Sequence, residues 1–130
     1  MTGTPDQLRV LVADGSSFFR DTLRDVLRGA ADIDVVAVAG SADDAIRLAE
    51  QHQPTVAVVD VHLSGDGLHA IRRIHQKAPA VKLVALWGLI DGPSESELRE
   101  LGVVDYVIKG VPNRKILAAI RRAAKEGATQ

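Results

Sequence analysis

Cysteine is absent from the 130 residues, which excludes a disulfide framework, a thiolate metal centre and a cysteine nucleophile. Also missing is any apolar run near the roughly 20 residues needed to cross a bilayer. The opening MTGTPDQ has no basic segment leading into an apolar one, so it does not read as a secretory leader. A soluble, cytoplasmic chain without a membrane partner is the expectation. Neither sign of charge dominates: a formal net charge of -1 gives no basic field for nucleic acid, so direct nucleic-acid binding is not expected. No Gly-x-Ser-x-Gly elbow is present, and no Ser, His and Asp stand together at strand ends, so hydrolysis is disfavoured. Repeats, low-complexity tracts and linkers are lacking. Aromatic residues are scarce: Phe18, Phe19, Trp87 and Tyr106.

What remains reads as one domain over residues 1–130, with its core at about 8–126, Met1–Gln7 and Gly127–Gln130 frayed, and enough chain to bury a core. Short apolar runs alternate with helix-period segments. LRVLVA (Leu8–Ala13), IDVVAVA (Ile33–Ala39), TVAVVDV (Thr55–Val61), VKLVALW (Val81–Trp87) and VVDYVI (Val103–Ile108) read as strands. The second, third and fourth are apolar nearly throughout, as suits a parallel sheet covered on both faces. Between them, Ser16 caps a helix with Phe19, Leu23, Val26 and Leu27 inward, and Ser41 caps one carrying Ala45, Ile46 and Leu48 before Pro54. Asp66-Gly67 begins a third with Leu68, Ile71 and Ile74 inward. Ser94 opens a short fourth that stops at Gly102, and Pro112 sits in the first turn of a fifth bearing Ile116, Leu117 and Ile120. A βαβαβαβαβα chain of this length predicts an α/β sandwich with right-handed crossovers.

In such folds function sits beyond the carboxyl ends of the strands, which directs attention to Asp14, Asp60, Trp87 and Lys109. Two carboxylates and an ammonium at neighbouring strand ends suit phosphoryl chemistry, which asks mainly for positioning and charge neutralisation. Singly, each residue reads as a strand-end acid, a helix cap or a surface lysine; together they favour the site.

VLVAD with Phe19-Arg20 downstream, PTVAVVDVHLSGDGL (Pro54–Leu68) and LGVVDYVIKG (Leu101–Gly110) resemble a response-regulator receiver domain of two-component signalling. The likeness runs from about Arg9 to Ala124. It implies a doubly wound (βα)5 flavodoxin-like sheet in the order 2-1-3-4-5, with no enzymatic activity of its own. By the same resemblance Asp60 matches the phosphoacceptor, Lys109 the phosphoryl-contacting lysine, Asp14 the first of an acidic pair and Tyr106 the switch aromatic. Mg²⁺ would be held by Asp60, by Asp14 through water and by the backbone carbonyl of His62.

Three positions depart from the family. Gly15 replaces the second acid, so Mg²⁺ binding should be weak or absent. Trp87 stands where a serine or threonine hydroxyl usually reads the phosphoryl group, and an indole N–H can only donate. Gly110 replaces a proline after Lys109. An atypical, degenerate receiver acting through protein contacts is therefore expected. The alternatives are an ordinary phosphorylated receiver cut from a longer transcriptional regulator, which Met1 and the short tail slightly disfavour, and a flavodoxin-like small-ligand module, for which DGSSFF is a weak loop.

Other residues carry smaller expectations. His52, His62, His69 and His75 lack ligand spacing and read as solvated. Ser64-Gly65-Asp66-Gly67 reads as a turn and helix cap, not a phosphate loop. Phe18 lies off the buried stripe and reads as a docking residue for a histidine kinase or phosphotransfer protein, as receivers dock along their first helix. By the resemblance, a downstream effector or a homodimer would use the face of helix four, strand five and helix five, with Leu98, Tyr106, Ile108 and the exposed side of Ala118–Arg122.

Overall fold

A computed structural model of the chain describes residues 7–63, 65–87 and 94–126. The elements are β1 (Leu8–Ala13), α1 (Ser17–Arg28), β2 (Ile33–Ala39), α2 (Ala42–His52), β3 (Val56–Asp60), α3 (Gly67–Lys77), β4 (Lys82–Trp87), α4 (Glu95–Glu100), β5 (Val103–Ile108) and α5 (Asn113–Lys125). All strand pairings are parallel, and the sheet order is β2-β1-β3-β4-β5, as expected from the resemblance.

Strand periodicity divides the core into two layers. Leu11, Ala13, Ala57, Val59, Leu83 and Ala85 point toward α2, α3 and α4. Val10, Val12, Val56, Val58, Val84 and Leu86 point the other way, onto Leu23 and Leu27 of α1 and Ile116, Ala119 and Ile120 of α5. Because β1, β3 and β4 are interior strands, their side chains are buried in both directions. The strand ends beyond them are therefore brought together on one edge.

Helix starts follow from side-chain caps. Ser16 Oγ accepts from the Phe19 N–H at 3.2 Å, Ser41 Oγ from Asp44 at 3.3 Å, and Asp66 Oδ1 from Leu68 and His69. Ser94 and Glu97 form a reciprocal capping box.

α2 buries Ala42, Ala45 and Ala49, and Ile46 and Leu48 pack half-buried against the same layer. β2 is an edge strand, half-buried at its centre, with Ala37 and Ala39 in one layer and Ile33 and Val35 in the other. Two local expectations are corrected. Pro112 is the residue before α5, at its N-cap, and provides no side-chain bond. Leu98, expected on an exposed output face, is buried in the core beneath α4. Ser64 of the expected turn and the expected frayed ends, apart from Gln7, lie outside the described residues. Among the described residues, no helix is long and apolar enough to cross a membrane.

Candidate functional site

β1 and β3 lie side by side in parallel, so Asp14, one residue past β1, and Asp60, the last of β3, emerge together. Both are buried, Asp14 completely and Asp60 to within 6% exposure. The backbone N–H of Ser16 donates to Asp14 Oδ1 at 2.8 Å, and that of His62 donates to Asp60 Oδ1 at 2.9 Å. Each carboxylate is thus held by the turn that follows its own strand.

Lys109 follows β5, and its backbone N–H donates to the carbonyl of Trp87 at 2.7 Å, fixing the lysine to the end of β4. From there its ammonium reaches both acids. Nζ donates to Asp60 Oδ2 at 3.0 Å and lies 2.5 Å from Asp14 Oδ2. The second contact is the shorter of the two, so the buried Asp14 Oδ2 is paired with the ammonium. Burial raises the Asp14 pKa above the ordinary aspartate value, aided by the Asp60 charge and opposed by Lys109 and the Ser16 N–H. Burial also works against the Lys109 ammonium, but its bonds to Asp14 and Asp60 outweigh it and raise the lysine pKa.

Two side chains of α1 complete the arrangement. The Phe19 ring lies under the ammonium, 4.5 Å from Nζ to the ring centroid. Arg20 Nη1 donates to the Asp14 carbonyl at 2.8 Å, in space that Gly40 leaves open, since a Cβ there would come within 2.8 Å of Nη1. Helical periodicity assigns Phe19 to the buried stripe, yet it is only half-buried and its ring faces a cation. The Phe19-Arg20 pair was visible in the sequence; the role of each was not, because periodicity gives a side and not a neighbour.

Gly15 is exposed and brings no carboxylate to this group. The His62 side chain is exposed as expected. The other three histidines make no metal cluster, and among the described residues no group of three His, Asp or Glu side chains could hold a metal. Asp14 and Asp60 offer a cation two carboxylates, a donor set that suits a hydrated Mg²⁺, with Asp14 Oδ2 also paired with the Lys109 ammonium. Gly110 has φ 99°, a left-handed conformation closed to proline, whose ring fixes φ near about −65°.

Trp87 and Tyr106 occupy paired strands and stack, with centroids 4.7 Å apart and planes 12° from parallel. The Tyr106 hydroxyl donates to Glu95 Oε1 of α4 at 2.7 Å. Glu95 had no signal in the sequence beyond its place in the first turn of α4. An open cleft of about 500 Å³ lies between β5 and α5, lined by Tyr106, Ile108, Val111, Lys115, Ala118 and Arg122. Phe18 is 80% exposed, in keeping with its place off the buried stripe.

A family model described as Response regulator receiver domain matches residues 10–121. The chain is 32% identical over 122 residues to a protein-glutamate methylesterase/protein-glutamine glutaminase of Caldanaerobacter subterraneus, covering 92% of this chain and 33% of that protein. It is 30% identical over 119 residues to the transcriptional regulatory protein LiaR of Bacillus subtilis, covering 91% of this chain and 56% of that one. The chain thus spans between about a third and just over half of these relatives' length. Among solved structures, the response regulator domain of Thermotoga maritima CheB superposes with a TM-score of 0.82 at 26% identity, over 92% of this chain and 97% of that one. The family match covers the acids, the lysine and the strand order together, and the chain belongs to the response-regulator receiver family, a receiver domain of two-component signalling.

Proposed function

We propose that this receiver accepts a phosphoryl group on Asp60 with Lys109 as its main electrostatic support, that it binds Mg²⁺ weakly, and that it acts through protein contacts. One observation carries the reading: Lys109 reaches both Asp14 and Asp60, while the adjacent Gly15 adds no third carboxylate. A carboxylate oxygen of Asp60 forms the new bond to phosphorus as the donor's own bond to phosphorus breaks, and the departing group keeps that electron pair. Lys109 offsets charge gathering on the transferred oxygens. Asp14, Asp60 and the His62 carbonyl are the groups that would hold Mg²⁺, which when bound would offset more of that charge.

The expected donor is a cytoplasmic histidine kinase or phosphotransfer protein, docked on the side of α1 that displays Phe18. Downstream, the β5–α5 face with Tyr106 and Ile108 is the surface for an effector or a second copy, by likeness to receivers in general. Receiver domains work with histidine kinases and effector domains, and LiaR, of which this chain matches 56%, is a transcriptional regulatory protein. That relation favours a second reading: an ordinary receiver belonging to a longer regulator.

Incubation with acetyl phosphate, followed by intact-mass measurement, tests the acceptor, with Asp60→Asn as the control. A phosphoryl adduct in the wild type and none in Asp60→Asn is expected; an equal adduct in both moves the acceptor elsewhere. Gly15→Asp should tighten Mg²⁺ binding by at least about 10-fold, since even outer-shell partners of a metal are worth roughly 10–100-fold. Wild-type affinity equal to that of Gly15→Asp would return the protein to the ordinary-receiver reading.

A further inference from the structure

A lysine ammonium on a four-carbon stem has many places to go, and ordering such a side chain costs rotamer entropy. Here two carboxylates compete for it, one at 2.5 Å and one at 3.0 Å, and its side chain is still 26% exposed. The acids attract the ammonium from their side. Against it on another side lies the ring of Phe19.

We infer that Phe19 is a positioning residue for the phosphoacceptor site: its ring face carries the Lys109 ammonium and keeps it aimed at Asp60. The inference rests on Asp60 being the acceptor. The ring's own place is set from Asp14 by three bonds. The Ser16 N–H donates to Asp14 Oδ1, the Phe19 N–H donates to Ser16 Oγ, and Arg20 donates to the Asp14 carbonyl. The first turn of α1 is therefore indexed to the same residue that pairs with Lys109. Phe19 packs half-buried against the layer that holds Leu23 and Leu27, and its negative ring face is left to a cation 4.5 Å away.

The attraction also tolerates motion. A hydrogen bond weakens steeply once its angle falls below about 120°, but the quadrupole of a ring extends over its whole face. The ammonium can turn from Asp14 toward oxygens newly bonded to Asp60 without leaving the ring. Leucine would fill most of the volume and offer no such face.

The direct test is the proton chemical shift of the Lys109 ε-methylene in the unphosphorylated protein. Ring current should shift it upfield in wild type; Phe19→Leu should abolish that shift, and Phe19→Tyr should preserve it. Equal shifts in Phe19→Leu and wild type would place the ring away from the lysine, and that result overturns the inference; the labelling rates separate positioning from packing. Acetyl phosphate labelling is measured on the same three proteins after a thermal melt establishes that each is folded. Phe19→Leu should form the Asp60 adduct about 2- to 30-fold more slowly, the span that a cation–ring contact provides, with Phe19→Tyr near wild type. Equal rates in all three also overturn it. If no protein forms an adduct, the acceptor reading fails, and with it the claim that Phe19 serves phosphorylation. The chemical shifts would then still decide whether the ring holds the lysine.

Discussion

Asp14 concentrates the electrostatic cost of the site. Its carboxyl is buried, and burial raises its pKa against the opposing pull of Lys109. A native carboxyl with a raised pKa holds its proton more tightly than the unfolded chain does. Native stability attributable to Asp14 is therefore greatest below the ordinary value of about 3.8 and declines as pH rises from there through the raised native value. Asp14→Asn keeps an oxygen for the Ser16 N–H and removes the buried charge. We expect it to melt at a higher temperature than wild type at neutral pH without Mg²⁺, with the gain vanishing as pH falls below about 3.8. A lower melting temperature at neutral pH would mean that pairing with Lys109 outweighs the burial. Among single residues, the two acids and the lysine were legible because topology alone carries strand ends to one edge. Phe19 as a cation's partner was not legible, nor was Glu95 as the acceptor for Tyr106, because each pairing depends on where side chains point, which periodicity does not give.

At the scale of elements, the junction between β3 and α3 leaves no room for a side chain at Gly67. A Cβ built on Gly67 would collide with the Asp60 carbonyl and the Val61 backbone, neither of which can swing aside as a side chain can. Gly67→Ala must therefore push the first turn of α3 away from the strand that presents Asp60. Overpacking of this kind costs about 1–3 kcal/mol, measurable by urea unfolding. Unchanged stability would show that the Asp66 cap lets the helix retreat freely. The start of α3 was readable from Asp66-Gly67, as were all three serine caps, since capping is local chemistry. The face of α2 was legible in part: Ala45, Ile46 and Leu48 were readable, whereas Ala42 and Ala49, as buried as Ala45, are small residues that hydrophobicity does not single out.

Across the whole molecule, the question is what phosphorylation at one edge can change on the β5–α5 surface. The fold class and strand order followed from alternating strands, helices and family likeness, but the state of Tyr106 depends on a three-part contact. Its ring stacks on Trp87, its hydroxyl is bound to Glu95, and that bond raises the phenol pKa, with the nearby carboxylate charge acting in the same direction. Turning Tyr106 to another rotamer breaks the stack and the hydrogen bond together. Trp87 offers no hydroxyl that a phosphoryl group could draw inward, so phosphorylation supplies little differential interaction for the two positions of Tyr106. An equilibrium shifts only by that difference. The Tyr106 ring signals in NMR should accordingly move little when Asp60 is phosphorylated in wild type. In Trp87→Thr, which restores a hydroxyl and removes the stack, phosphorylation should move them clearly. Ordinary coupling between sites is worth about 1–3 kcal/mol, or roughly 5- to 150-fold in a population, and wild type should fall well below it. A large shift in wild type would establish a working switch, with the Trp87–Tyr106 stack moving as one piece instead of holding its place.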